Sequence, residues 1–417
     1  VAEVNDKGEV TVEGEFIGRL EGFRFRQDKT ANADEARMLR QTAVAALAPA
    51  FHLRADRFYN APDTEIDFTE QGGLMWGAEA VGKLTAGADA MRPQVQAFVD
   101  EEAGTEVAEK VRRRLQHFID RKIATLFEPL TNLQRDETLT GLARGFAFRM
   151  VESLGVVPRE AVAEEVKQLD QEARGALRKH GIRFGQYTIF LPALLKPAPT
   201  RLRLVLWSLS QGLDEFPESP PPGLVTIPNL PDVPAEHYTL AGYKPAGSRA
   251  IRIDMLERLA DMLRSRDTRA GFEASAEMLS ITGMTLEQFA DLMQGLGYAA
   301  ERGERIKTRP AAPVEMTAEE IAARAAAAAA TARIAVSDEA DESHAVPPQP
   351  PETDATPPDP PAETPAETED AESRAAPEPA AETADDSAPE GTADPDATAQ
   401  PAAEDPSSEV EMEAFYT

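Results

Sequence analysis

Seven positive side chains stand between Ala173 and Leu213 with no carboxylate among them: Arg174, Arg178, Lys179, Arg183, Lys196, Arg201 and Arg203. The chain around them is acidic, with a formal net charge of −30. Phe184, Tyr187, Phe190 and Trp207 are interleaved with these cations. Cations neutralise phosphates with release of counterions, and aromatic faces stack on exposed bases, so the pairing has the chemistry of a surface for single-stranded nucleic acid. The same residues also fit a helix–strand–helix core whose arginines are solvated, and composition favours that plainer reading. A second set lies upstream, where Lys110, Arg113, Arg114, His117 and Arg121 fall on the helix face opposite Val107, Val111, Leu115, Phe118 and Ile119. At about 1.5 Å per residue this stripe is about 16 Å long. Glu109 can pair with Arg113 at i,i+4, which weakens it. Solvated surface is the default for such a stripe, and phosphate contact is the alternative.

Other chemistry is thin. A P-loop needs GxxxxGK followed by Ser or Thr, so that backbone N–H groups cradle phosphate and the hydroxyl reaches magnesium. The nearest approach is Gly77-Ala-Glu-Ala-Val-Gly82-Lys83-Leu84-Thr85, in which Leu84 holds the hydroxyl position. The segment reads better as a short strand following the turn at Gly72-Gly73. There is no cysteine, hence no thiol nucleophile, disulfide or thiolate metal site. His52, His117, His180, His237 and His344 are far apart and form no HExxH or HxH spacing, and no GxSxG elbow marks a serine nucleophile. The residues name no catalytic centre.

The acidity belongs mainly to one end. From Ala311 onward 27 Asp and Glu stand against 3 Arg, a local net of −24, which leaves −6 for the rest. No signal peptide is visible, and no apolar run approaches the roughly 18 residues of a membrane span. Absence of cysteine fits a reducing cytoplasm. A first residue Val1 and a strand-like Phe415-Tyr416-Thr417 ending suggest a piece of a longer polypeptide.

The elements that must position these groups predict an α+β fold, predominantly helical, in successive regions. Residues 1–100 read as a small mixed α/β module. A strand–turn–strand over Phe16 to Phe25 is followed by a helix from about Asp34 that Pro49 breaks or bends, then by a hairpin turning at Gln71-Gly72-Gly73. Residues 101–213 form the mainly helical basic and aromatic region. It holds a helix from Thr105, another over Thr138–Leu154, a third over Pro158–His180 ended by Gly181, and an amphipathic helix after Pro199. Arg178 and Lys179 in the last turn of the third helix also favour its dipole. The alternation of IRFGQYTIFLP is that of a strand, so Phe184 and the pair Arg183/Tyr187 need not share a face. Residues 214–247 are a Pro/Gly-rich linker, read as a mobile connection in which VTIPNLP could add an edge strand. Residues 248–310 form three short helices and a wing, a winged-helix-like unit with a capping box at Thr285-Leu286-Glu287-Gln288. Its third helix offers Glu287, Gln288, Asp291 and Gln294, which phosphates would repel, so a structural or protein-contact role is favoured there. Arg302, Arg305 and Lys307 lie in the wing. Residues 311–417 begin with an Ala-rich helix opened by Thr317-Ala318-Glu319-Glu320. Beyond Val336 they have the Pro, Ala, Glu, Asp and Thr composition of a disordered acidic tail.

Five blocks carry a resemblance. LDQEARGALRKHGIRFGQYTIFLPALLKPAP from Leu169, GEFIGRLEGFRF from Gly14, GLARGFAFRMVESLGV from Gly141, SRAIRIDMLERLADMLR from Ser248 and ITGMTLEQFADLMQGLGYAAER from Ile281 occur in order. Together they resemble the C-terminal accessory region of long bacterial ATP-dependent helicases related to the mitochondrial degradosome RNA helicase. The likeness covers about residues 10 to 308 and leaves out the motor. It implies a cytoplasmic, non-motor part that guides single-stranded RNA or DNA for motor domains upstream in the same polypeptide. ATP and Mg²⁺ are then implied for the absent motor and no cofactor for this chain. The nucleic-acid contacts would come from Arg174, Arg178, Lys179, Arg183, Tyr187, Lys196, Arg201, Arg203, Lys110, Arg114 and Arg121. The rival expectation is an interaction scaffold that recruits protein partners through residues 248–310 and the tail without touching nucleic acid. No membrane partner is expected.

Overall fold

Gly8–Leu20 and Gly72–Leu84 build the same small structure twice in a computed structural model that describes residues 1–29, 32–306, 319, 321–327 and 409–416. The first copy is an antiparallel meander of β1 (Ala2–Val4), β2 (Glu9–Val12), β3 (Glu15–Glu21) and β4 (Arg24–Gln27), followed by α1 (Ala33–Asn60). The second is the meander β5 (Ile66–Phe68), β6 (Gly73–Trp76), β7 (Glu79–Thr85) and β8 (Gln94–Ala97), followed by α2 (Thr105–Leu126). Both have a two-residue hairpin loop, and both carry a bulge two residues after the matching glycine, at Val10/Thr11 and Leu74/Met75. In each, the amide of Leu20 or Leu84 donates to the carbonyl of Gly8 or Gly72 at 2.7 Å. Gly18-Arg19-Leu20 therefore corresponds to Gly82-Lys83-Leu84.

Ala43, Leu47, Phe51, Ala55 and Phe58 recur at helical spacing along α1 and are buried. Of the two outcomes expected at Pro49, a break does not occur, and the helix runs through it. Pro49 and Ala45, whose carbonyl loses its partner, both lie on the exposed side, where water can replace the lost bond. Phe23, Phe58 and Trp76 join the two copies, with Phe23 stacked on Trp76 at 6.1 Å and 8° and Phe58 against both.

The helical region follows as α3 (Glu128–Arg135), α4 (Gly141–Glu152), β9 (Val156–Pro158), α5 (Ala163–Gln168), α6 (Gln171–Lys179), β10 (Arg183–Phe184), β11 (Thr188–Phe190) and α7 (Pro197–Gln211). The helix expected over Pro158–His180 is thus two helices after a strand. Asp170 interrupts it because its side chain accepts the Ala173 amide at 2.7 Å and caps α6. The three strands form a sheet in the order β10-β11-β9.

Residues 214–247 are packed down rather than a free connection. Phe216 is buried in the main core, and its amide and carbonyl are bonded at 3.0 Å by the side-chain amide of Gln71. The Tyr238 hydroxyl accepts the Leu230 amide at 2.7 Å and donates to Pro228 O, and Tyr243 donates to Leu224 O at 2.6 Å. Here β12 (Thr226–Pro228) is the expected edge strand. α8 (Ala235–Leu240), β13 (Tyr243–Ala246) and β14 (Arg249–Arg252) follow it in sequence, and the sheet runs β12-β14-β13.

The winged-helix-like unit comprises α9 (Ile253–Arg264), β15 (Phe272–Glu273), α10 (Ala276–Thr282), α11 (Leu286–Gly295), β16 (Ala299–Ile306) and β17 (Glu409–Tyr416), with the sheet ordered β15-β17-β16. The Thr285/Gln288 capping box opens α11 as expected. Glu409–Tyr416 is a strand of this sheet and not part of an unstructured tail. One compact unit comprises Val1–Arg305 with Glu409–Thr417, so the successive regions do not stand apart as separate bodies. Residues 306–408 form a second unit, in which 319 and 321–327 are helical and exposed. Thr317, Ala318 and Glu320 of the capping box, Lys307 and the acidic stretch 328–408 lie outside the described residues. Among the described residues no helix is long and apolar enough to cross a membrane.

Candidate nucleic-acid interface

Arg178 and Lys179 end α6, and Arg183 opens β10 two residues after Gly181. All three are exposed, and no carboxylate pairs with them among the described residues. β10 is an edge strand, and its alternation turns Phe184 inward while Arg183 faces out. Phe184 stacks on Phe146 of α4 at 5.6 Å, and the Arg178 guanidinium lies over its ring at 5.6 Å. A cation at a helix C-terminus also offsets the dipole there, so Arg178 and Lys179 keep a structural use whatever they bind. His180 fixes the turn by a 2.6 Å contact between Nε2 and Asp136 Oδ2. Bonds from the Thr138 hydroxyl first, and then His180, hold the Asp136 carboxyl down at about 2.

The remaining cations of the acid-free stretch divide. Lys196 is exposed at the start of α7. Arg174 is half-buried and donates from Nη2 to Val166 O at 2.8 Å, joining α6 to α5. Arg201 lies over the Phe68 ring at 4.3 Å and donates to Phe68 O at 2.5 Å, with Asp67 at 3.5 Å and Glu70 at 3.9 Å. Arg203 overturns its expected role, because it is 0% exposed. It donates to Leu240 O at 2.8 Å, Leu194 O at 2.6 Å and Thr200 Oγ1 at 3.1 Å, tying α7 to the end of α8. Burial pushes its guanidinium down to about 9, still protonated at neutral pH.

The stripe on α2 is also corrected. Arg114 is buried and bonded to Ala61 O at 2.8 Å and Asp63 at 2.7 Å, and Arg121 reaches the same carboxylate at 3.0 Å. Lys110 pairs with Asp56 and sits over the Tyr59 ring. These three side chains bind α2 to the end of α1 and the loop behind it. A helical wheel marks which face is polar, but it cannot show that carboxylates of another element already pair with three of its cations.

Tyr187 is not a free stacking ring. It is half-buried against the winged-helix core, and burial together with Tyr298 raises its hydroxyl well above the usual range. Beside it, the Glu257 carboxylate of α9 accepts the amides of Gln186 at 2.6 Å, Tyr187 at 2.8 Å and Thr188 at 3.0 Å. The FGQYT segment is therefore a seat for one carboxylate, and it locks the β10–β11 hairpin to the winged-helix-like unit. Desolvation raises the Glu257 carboxyl in spite of these three donors. Asp291 of α11 similarly accepts the Ser248 amide at 2.7 Å and hydroxyl at 2.6 Å, so the third helix supports the β13–β14 turn. Trp207 packs edge-on against His237 at 5.0 Å.

Gly77–Thr85 is a hairpin turn and strand β7, with Lys83 exposed in mid-strand and no helix following. A phosphate-cradling loop opens a helix, so this segment has the wrong architecture for one. Among the described residues no group of three or more His, Cys, Asp or Glu is placed to hold a metal ion. No protein-family model matches the chain, and no curated protein or solved structure matches it.

Proposed function

We propose that this chain is the non-motor region of an ATP-dependent helicase of the family it resembles, handling a single strand of RNA or DNA for a motor elsewhere in the same polypeptide. The observation that carries this reading is the trio Arg178, Lys179 and Arg183. These are three exposed cations without carboxylate partners among the described residues, carried by a helix end and the edge strand that follows it. Most of the other expected contacts are committed to internal bonds, which narrows the phosphate-binding surface to this trio and Lys196. ATP binding and hydrolysis, with Mg²⁺, belong to the motor in this reading.

The test is binding of single-stranded RNA, single-stranded DNA and duplex across a salt series, with the wild-type chain and with Arg178→Glu/Lys179→Glu/Arg183→Glu. Each lost phosphate contact should remove about 0.7 from the log–log salt slope for a single strand. A variant with native circular dichroism but unchanged affinity and slope would overturn the reading. The scaffold alternative gains from the exposed polar side of α11, where Glu287, paired with Arg302 at 3.2 Å, and Gln288 face solvent. It would be supported by capture of protein partners in the absence of any nucleic-acid affinity.

A further inference from the structure

The last strand of the winged-helix-like unit comes from far along the chain. β17 lies between β15 and β16, antiparallel to β15, with Phe272 opposite Phe415 and Glu273 opposite Ala414. Residues 307–408 separate β16 from β17, whereas β15 and β16 are joined by two helices of the unit itself. A tight hairpin would deliver β17 as a local event. With so long a connection the strand returns as a separate segment, and its effective concentration falls roughly as the −3/2 power of connector length. Strands in a sheet are about 4.8 Å apart, so β15 and β16 flank a slot one strand wide, about 10 Å between axes. Unfilled, that slot would present unpaired backbone donors and acceptors on two facing edges. The segment that fills it, Glu409-Val-Glu-Met-Glu-Ala414, alternates acidic and apolar residues, which is the period of a strand with one face in water.

We propose that the slot between β15 and β16 is a strand-binding site, filled within one chain by Glu409–Tyr416, that also takes the same segment from a second copy of this chain. The backbone pairing is identical in the two cases, so concentration alone decides between them, as in exchange of an identical element between protomers. The inference is independent of nucleic-acid binding, because it rests on sheet order and register.

The 417-residue chain has no cysteine, which makes disulfide trapping in it unambiguous. Directly opposed residues of antiparallel strands have Cα atoms about 4.5–5.5 Å apart, inside the roughly 4.4–6.8 Å window of a disulfide. Glu273→Cys/Ala414→Cys should oxidise to a monomer with an internal bridge. An equimolar mixture of a Glu273→Cys chain and an Ala414→Cys chain should form a cross-linked heterodimer. Its yield should rise with protein concentration and exceed by about tenfold that of a control pairing Glu273→Cys with Ala402→Cys. An excess of the peptide Ser407–Thr417 should suppress it. Absence of the internal bridge would remove β17 from the slot, and a mixture no better than its control would exclude exchange. Sedimentation of the unmodified chain gives a check free of substitutions. A dimer that grows with concentration and dissolves in excess peptide is expected, and a monomer throughout, or a dimer indifferent to the peptide, would overturn the proposal.

Discussion

The Glu257 carboxylate occupies the space that a side chain at Gly185 would need: a Cβ placed there would lie 2.3 Å from Glu257 Cδ and 2.4 Å from Thr188 O. Glycine is required at this turn so that three successive amides can close around one acid. Gly185→Ala should destabilise the protein by about 1–3 kcal/mol, the usual cost of forcing atoms into a packed site. Glu257→Ala should cost about 2–3 kcal/mol through amides left unpaired. With the carboxylate gone, part of the clash goes too, so the double variant should lose clearly less than the sum. Urea unfolding of the four proteins measures this coupling, and simple additivity would break the link between the two residues.

Arg203 separates structural from binding cations. Its three acceptors are two carbonyls and a hydroxyl, arranged for a planar fork. Arg203→Met leaves Leu240 O without this donor and leaves Leu194 O and Thr200 Oγ1 only their 3.5 Å bond to each other, and should cost about 3 kcal/mol or more. Arg203→Lys should rescue little, since one ammonium cannot reproduce the fork. The folded fraction of either variant should bind single strands with wild-type affinity and salt slope. A slope that falls without loss of stability would mean that Arg203 meets phosphate after all.

These residues show what the sequence could reveal. Arg174, Arg201 and Arg203 look alike in a cationic run, yet one clamps a neighbouring helix, one stacks on Phe68 and one is buried. Nothing local distinguishes them, because their partners Val166, Phe68, Leu194 and Leu240 come from other elements. The helix period located α2 and the capping box of α11, since those signals are local. The matched Gly8–Leu20 and Gly72–Leu84 segments were also there to be read, as glycines at 8/72 and 18/82 with Arg19/Lys83 and Leu20/Leu84 beside them. Their divergent apolar residues hide the duplication until the paired bulges expose it. Glu257 had no signal of its own. The nearest hint was a glycine inside the strand pattern IRFGQYTIF, which marks a close approach.

Asp136 should shape the acid limb of stability. Its carboxyl is lowered from 3.8 to about 2, so its contribution is fully present above the unfolded value and is lost as pH falls toward the folded one. Between about pH 4 and pH 2 the wild-type melting temperature should therefore drop more steeply than that of Asp136→Asn. The two curves should run parallel at neutral pH. Equal acid slopes would mean that Asp136 is not held by Thr138 and His180 in solution.

The C-terminal strand makes a claim about deletions. Removing residues 409–417 takes the middle strand from the β15-β17-β16 sheet, so the melting transition of the winged-helix-like unit should fall. Replacing residues 311–405 with a short Gly/Ser connection should leave that transition nearly unchanged, because loop length enters stability only logarithmically. Hydrogen exchange at 410–416 should be slowed in the intact chain. Fast exchange there, with no effect of the truncation on melting, would put β17 outside the sheet.

The duplicated hairpins offer a paired test of backbone strain. Glu13 and Gly77 occupy matching positions in the two loops, with φ of 54° and 59°. A side chain in that left-handed region costs about 1–2 kcal/mol, while glycine adopts it freely. Glu13 therefore carries strain that its counterpart does not. A Cβ at Gly77 would meet nothing within 4 Å, so backbone conformation alone should govern substitution there. Gly77→Ala should destabilise by about 1 kcal/mol. Glu13→Gly should stabilise by a smaller amount, roughly 0.5 kcal/mol, because the added freedom of glycine in the unfolded chain opposes the relief. Opposite signs at the two positions are the expected result in chemical unfolding. A Glu13→Gly variant less stable than wild type would mean that the Glu13 side chain makes a contact worth more than the strain it imposes.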